Sequence, residues 1–140
     1  MVSEDTIRVD AFKAVYSIIN ANKPSGWTVL SSFPEVSPTF PCIVINPAFV
    51  TTERITMSNG TTTNRLAILV EFFAKARDLK IKIDQGRDNV LKTIKDNQAT
   101  LRDTHKLIYV SHTDASVDTF VYGDQKINGG SSNIVFDLAK

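Results

Sequence analysis

Leu66-Ala67-Ile68-Leu69-Val70-Glu71-Phe72-Phe73 decides how this chain of 140 residues is read. Nearly every position is apolar, so an extended segment here is greasy on both faces. A strand of that kind belongs in the middle of a sheet, with at least one face covered by helix. The segment upstream, Cys42 to Asn46, is a second apolar strand, and Pro47 after it should bend or bulge the chain. Residues 48 to 57 are mildly extended, and Ser58-Asn59-Gly60 carries a turn signal, because Asn and Gly both tolerate positive φ. The Cys42 strand and its extension are therefore expected to pair with the Leu66 strand across a hairpin.

Helices flank this centre. Residues 4 to 21 read as one, with Ser3 as N-cap and Glu4 and Asp5 at the positive end of the dipole. Lys23-Pro24-Ser25-Gly26 ends it. Ile7, Ala11, Ala14, Val15 and Ile18 form one stripe, and Val9, Phe12, Tyr16 and Ile19 a second beside it. So wide an apolar arc exceeds what one sheet face needs, and Phe12 and Tyr16 become candidates to meet another subunit. The bland alternative is contact with both the sheet and a neighbouring helix of the same chain. A second helix is expected over about 78 to 95, with Ile83, Val90, Leu91 and Ile94 on one face. Gly86 inside it costs about 1 kcal/mol against alanine and marks close packing on the sheet.

Trp27 to Leu30 reads as a short strand, followed by a proline-punctuated loop from Phe33 to Pro41. Beyond a polar stretch, Lys106 to Val110 and Val117 to Tyr122 read as strands. Gly123 to Ser132 reads as a glycine-rich loop, a second surface ordered on assembly, and Asn133 to Leu138 as the last strand. The fold class is α+β: a mixed, mostly antiparallel sheet with two helices packed on one face and a projecting β-hairpin. One domain spans 1–140, since the length fits one comfortably. A domain of this size buries roughly 68% of its unfolded surface.

Composition excludes several classes. Hydrophobic content is 42% and charged content 22%, ordinary for a globular protein. Sixteen basic and 15 acidic residues leave a net charge of +1, with no basic block of the kind that phosphate neutralisation needs. The one cysteine, Cys42, rules out an internal disulfide and sits in an apolar run, where it behaves as a small buried hydrophobe. No apolar run approaches the ~20 residues that span a bilayer, so no membrane partner is expected. The start of the chain lacks a signal-peptide pattern, so the chain is expected in the cytoplasm, and the sequon Asn59-Gly60-Thr61 is read as chance.

Catalytic chemistry finds little footing. His105 and His112 stand at opposite ends of one expected strand, roughly 23 Å apart, and cannot share a metal or a proton. His112 with Asp114 and Asp118 suggests a site, against the plainer reading of a polar turn between strands. Gly129-Gly130 precedes a strand and so lacks the helix N-terminus that holds phosphate. Asp84 and Asp88, beside Lys80, Arg87 and Lys92, look like solvated helix charges. The chain is expected not to be an enzyme; no catalytic, cofactor-binding or metal residues are assigned, and no cofactor is expected.

The segment from Thr51 to Asn64 is the more informative feature: Thr-Thr-Glu-Arg-Ile-Thr-Met-Ser-Asn-Gly-Thr-Thr-Thr-Asn. Threonine favours extended backbone, yet neither face carries the apolar residues a core needs. Such a polar β-hairpin arm, at about 51–64, can project from the body and offer its backbone for strand addition, where an ordinary exposed hairpin would not. Thr52, Glu53, Arg54, Thr56, Asn59, Thr61 and Thr63 join Phe12 and Tyr16 as the candidate subunit or partner interface.

The order of these features resembles the tail terminator (tail completion) family of long-tailed bacteriophages. An N-terminal helix precedes Phe40-Pro41-Cys42-Ile43-Val44-Ile45 and an extended hairpin. The central strand then runs through Phe72-Phe73-Ala74-Lys75-Ala76-Arg77-Asp78 into a long helix and closing strands. The resemblance covers most of the chain and is one of architecture, without a diagnostic motif. It implies a homo-hexameric ring in the virion that caps the tail tube, with the tail tube protein and the head–tail connector or neck protein as partners. DNA would pass through the lumen without specific binding, so a lumen face should favour carboxylates and hydroxyls over lysines. Neck, head-completion and minor tail proteins share much of this fold and are the alternative, with a small ligand-binding module or enzyme behind them.

Overall fold

The computed structural model describes residues 4–31, 40–46, 49–54, 62–76, 81–122 and 125–138. The elements run α1 (Glu4–Ala21), β1 (Thr28–Leu30), β2 (Cys42–Ile45), β3 (Phe49–Arg54), β4 (Thr62–Lys75), α2 (Ile81–Asp96), α3 (Gln98–His105), β5 (Leu107–Tyr122) and β6 (Gln125–Leu138). The fold is α+β, with three helices and a mixed six-stranded sheet ordered β1-β2-β4-β6-β5, while β3 also pairs with β4. Only β1–β2 among these pairings is parallel.

The Leu66 stretch is the central strand, as its two greasy faces require. β4 is paired along one side by β6 and along the other by β2 and then β3. Leu66, Ile68, Val70, Phe72 and Ala74 are buried in the main core with Ile43, Ile45, Ile134 and Phe136. All three helices contribute to that same core: Ala11, Ala14, Val15 and Ile19 from α1, Ile83, Val90 and Ile94 from α2, Leu101 from α3. Each fully buried large side chain among them contributes roughly 1.5–3 kcal/mol. On the opposite face a smaller cluster joins Cys42, Val44, Phe73 and Ile127, with Leu30 and Phe40 packed against it. Elsewhere that face is open: Leu69, Ile108 and Val110 are about 40% exposed.

Register explains how β2 becomes β3. Ile45 faces Val70 and Phe49 faces Ala67, so the β2–β3 line holds one more intervening residue than β4 does. An extra residue on one strand is the signature of a bulge. The sequence puts Pro47 there, although Pro47 itself lies outside the described residues. Asn46 anchors the step: its backbone N–H donates to Leu69 O at 3.0 Å and its Nδ2 donates to Glu71 Oε1 at 2.9 Å.

Four expectations need correction. The polar stretch after α2 is a third helix, α3, so three helices rather than two cover the sheet. It holds a single buried residue, Leu101, and one apolar anchor in eight residues makes no stripe to read. The two short strands 106–110 and 117–122 are one strand, β5, and His112 lies inside it rather than in a turn. Two irregularities, at Tyr109/Ser111 and Ala115/Asp118, shift its side-chain alternation and conceal the continuity. Residues 125–132, expected as loop, are the first part of β6 and pair with both β4 and β5. Gly129 and Gly130 sit in that ladder opposite Phe73 and Phe72. Finally, Gly86 packs against Trp27 instead of the sheet: a Cβ there would lie 2.6 Å from the indole.

Candidate assembly surfaces

The arm begins where the sheet ends. The last β4–β6 pair is Arg65↔Asp137, joined also by a 3.1 Å ion pair between Arg65 Nε and Asp137 Oδ1. Beyond it the β3–β4 ladder continues through Thr52↔Asn64, Glu53↔Thr63 and Arg54↔Thr62. Among the described residues, the β3–β4 ladder therefore runs roughly 10 Å beyond the last β4–β6 pair, at about 3.3 Å per residue. Every residue in those pairs is polar. A lone polar ribbon is marginal in water, having no apolar face to bury. Of the interface candidates, Thr52, Glu53, Arg54 and Thr63 thus have their backbones in this ribbon, while Thr56, Asn59 and Thr61 lie outside the described residues.

Phe12 and Tyr16 stand apart from the arm on α1. Both are half-buried against the core, their ring centroids 5.8 Å apart. The Tyr16 hydroxyl donates to Val29 O at 3.2 Å, tying α1 to β1. Val9, at the other flank of the same stripe, is 48% exposed. The wide arc of α1 is therefore partly spent on its own chain, with its buried line along Ala11, Ala14, Val15 and Ile19.

The open face of the sheet has a distinct chemistry. By register, Glu71 on β4, Ser131 and Asn133 on β6, and Ser111, Thr113 and Asp118 on β5 share it. The cations of β4 on this face, Arg65 and Lys75, lie towards its two ends. A shallow pit of about 230 Å³ opens here, lined by Glu71, Phe73, Asp118 and the Gly129–Gly130 backbone.

On the helix-covered face the structure corrects the reading of Arg87, which the sequence groups with the solvated charges of α2. It is 8% exposed, one of four buried polar residues among those described. Its Nη2 donates to Ala115 O at 2.8 Å and Ser131 O at 3.2 Å, and its Nη1 to Asp84 Oδ1 at 3.2 Å. The two carbonyls belong to the β5–β6 pair at the bulge, where the ladder is interrupted, so the guanidinium takes the place of missing strand hydrogen bonds. Its carbon lies 6.0 Å from the Phe72 ring centroid, and Nε, which makes no hydrogen bond, faces Asp114 Oδ1 at 3.7 Å. The same Asp114 oxygen accepts from Ser132 Oγ at 2.6 Å. One signal was available: positions 83, 87, 90 and 94 follow helical spacing, which places Arg87 on the apolar face.

His112 extends this network. Its Nδ1 shares a 2.6 Å hydrogen bond with Tyr109 Oη, and its Nε2 lies 3.9 Å from Asp114 Oδ2. Burial, and then the nearby Asp114 charge, push the Tyr109 phenol above its ordinary value. Asp118, by contrast, pairs with Gly129 and faces the open side. The sheet thus separates Asp118 from His112 and Asp114, and the three do not form one cleft. Cys42 is fully buried, and burial pushes its thiol up to about 12, which keeps it from acting as a nucleophile. No group of three or more metal-ligating side chains occurs among the described residues. No helix among them is long and apolar enough to cross a membrane.

No family model matches the chain, and no curated protein does. Its fold is similar to that of a chain in a solved structure described as the virion of a native gene transfer agent (GTA) particle. That similarity has a TM-score of 0.37 at 6% identity, and covers 88% of this chain and 84% of the other. At such a score the likeness carries no argument about what this chain does.

Proposed function

We propose that this protein is a structural virion component of a tailed bacteriophage, a tail terminator that assembles as a ring, caps the finished tail tube and joins it to the head connector. The observation that carries the reading is the ribbon beyond Arg65↔Asp137, a polar β-arm without a core of its own to rest on. Strand addition to a neighbouring subunit would give its backbone groups partners and its threonines a pleated surface to pack on. The order of elements supports the same family, since the helix, the Cys42 strand, the arm and the central strand follow one another as the resemblance expects. The open sheet face suits a lumen. Its middle carries hydroxyls, an amide and carboxylates beside the half-exposed Leu69, none of which attracts or holds phosphates as lysines would. The reading assigns the chain no catalysis.

The direct test is to mix purified protein with tail tubes and image them in negative stain. Capped tubes of uniform length are expected, together with tubes that lengthen unchecked when the gene is deleted. Replacing residues 55–61 by a short Gly-Ser turn should leave the fold intact and abolish capping. Deletion that gives normal tails lacking only heads would move the role to the neck. Unaltered virions after deletion would defeat the proposal.

A further inference from the structure

We propose that the free edge of β5 pairs with the same edge of a second copy, antiparallel about a twofold axis at Thr113, so that His112 of each chain stands opposite Asp114 of the other. The contact belongs to the free protein and does not rest on the assembly reading above. β5 pairs with β6 and with no other described strand, which leaves its second edge open. Long open edges are normally guarded by lysine, proline or short length. β5 has sixteen residues and contains neither Lys nor Pro. Its two bulges, at Tyr109/Ser111 and Ala115/Asp118, break that edge and leave between them a regular run, residues 111–115, centred on Thr113. Ser111, Thr113 and Ala115 are exposed on the open face. His112 and Asp114 lie on the helix-covered face, yet their side chains stay 27% and 37% exposed, so the helices leave room beside them.

The polar groups of this run are half-paired. Tyr109, its phenol kept protonated by burial, donates from Oη to His112 Nδ1 at 2.6 Å, which leaves the proton of the neutral imidazole on Nε2. That Nε2–H has no acceptor among the described residues: Asp114 Oδ2, at 3.9 Å, is beyond hydrogen-bond reach. Asp114 is engaged through Oδ1, which accepts from Ser132 Oγ and faces Arg87 Nε. A donor without an acceptor and a carboxylate oxygen without a donor thus lie two residues apart on one face of an open edge. Antiparallel pairing about Thr113 sets Ser111 opposite Ala115, Thr113 opposite itself and His112 opposite Asp114. Each pair shares a face, because a twofold axis normal to the sheet keeps the helices of both copies on the same side. Directly opposed Cβ atoms stand about 4.5–5.5 Å apart, within reach of an imidazole–carboxylate hydrogen bond, and the symmetry makes that bond twice. The pairing joins two six-stranded sheets into one and, being isologous, consumes both edges and stops at a dimer.

The test is single-position disulfide scanning on the purified full chain, with sedimentation velocity from about 1 μM to about 1 mM. Cys42 is fully buried, so native thiol chemistry does not interfere. T113C alone should cross-link under mild oxidant into a dimer and no further, since directly opposed Cα atoms fall within disulfide range. S111C and A115C should not link singly, but should link to each other when the two variants are mixed. H112A should weaken the dimer about tenfold or more, because both copies lose the same bond, with the fold checked by circular dichroism. Should H112A lose the fold, the T113C and mixed-variant cross-links decide alone. Self-linking of S111C or A115C would place the axis elsewhere and overturn the pairing of His112 with Asp114, and so would a dimer indifferent to H112A. A chain that stays monomeric to about 1 mM would overturn the contact outright. Neither result touches the ring reading, which fails by its own test when tail tubes stay uncapped.

Discussion

Substituting Gly86 by alanine isolates one contact that sequence rules alone would misjudge. In an ordinary helix interior the change gains about 1 kcal/mol, because glycine loses more backbone freedom on folding. Here the new Cβ would stand 2.6, 2.9 and 3.0 Å from three atoms of the Trp27 six-membered ring. Ordinary contact requires the indole to retreat by about 0.8 Å, and Trp27 is 4% exposed, packed within the main core. Overpacking of this kind costs roughly 1–3 kcal/mol. The clash should therefore win, with G86A destabilising the fold by about 1 kcal/mol net. Urea unfolding followed by far-UV circular dichroism measures it; with a slope of about 2 kcal/mol/M the midpoint should fall by roughly 0.5 M at unchanged slope. Trp27 is the single tryptophan, so a shift in native-state fluorescence would report the displaced ring directly. In a W27F background the offending ring atoms are gone, and G86A should become stabilising by up to about 1 kcal/mol. A G86A variant that stabilises the unmodified protein, or that behaves identically in both backgrounds, would refute the reasoning.

Arg87→Ala should cost about 3 kcal/mol by thermal or urea unfolding, because Ala115 O and Ser131 O lose their donor inside the fold. Arg87→Lys should recover only part of this, since an ammonium cannot span both carbonyls and Asp84 as the planar fork does. Cys42 should resist a disulfide reagent at pH 8 and react only as fast as the protein opens; rapid labelling of the native state would contradict its burial. Tyr109 links stability to alkaline pH: its phenol is raised in the folded state, so the unfolded chain releases that proton first. The contribution is complete below the ordinary tyrosine value near 10 and is lost as pH climbs from there through the folded value. Tyr109→Phe should flatten that part of the stability profile, and an unchanged alkaline slope would argue against it.

The amino-acid sequence by itself determined those features that depend on local pattern. A strand greasy on both faces had to be central, and β4 is. A helix bounded by Lys23-Pro24 had to end there, and α1 ends at Ala21. The extended backbone on either side of residues 55–61 was legible because threonine favours strand, and β3 pairs with the start of β4 there. Tertiary structure decided what depends on neighbours far away in the chain. β5 is one strand because β6 pairs along its length, and its bulges had broken the alternation that would have revealed it. Arg87 is buried because a bulge 28 residues later leaves a carbonyl that only a long cationic fork can reach. Gly86 is required by an indole that arrives from before β1, on the far side of the sequence. That the β3–β4 ladder runs past Arg65↔Asp137 emerged only once the ladder ends were counted. Local composition sets which backbone conformations are cheap, and packing between distant segments sets which of them share a surface.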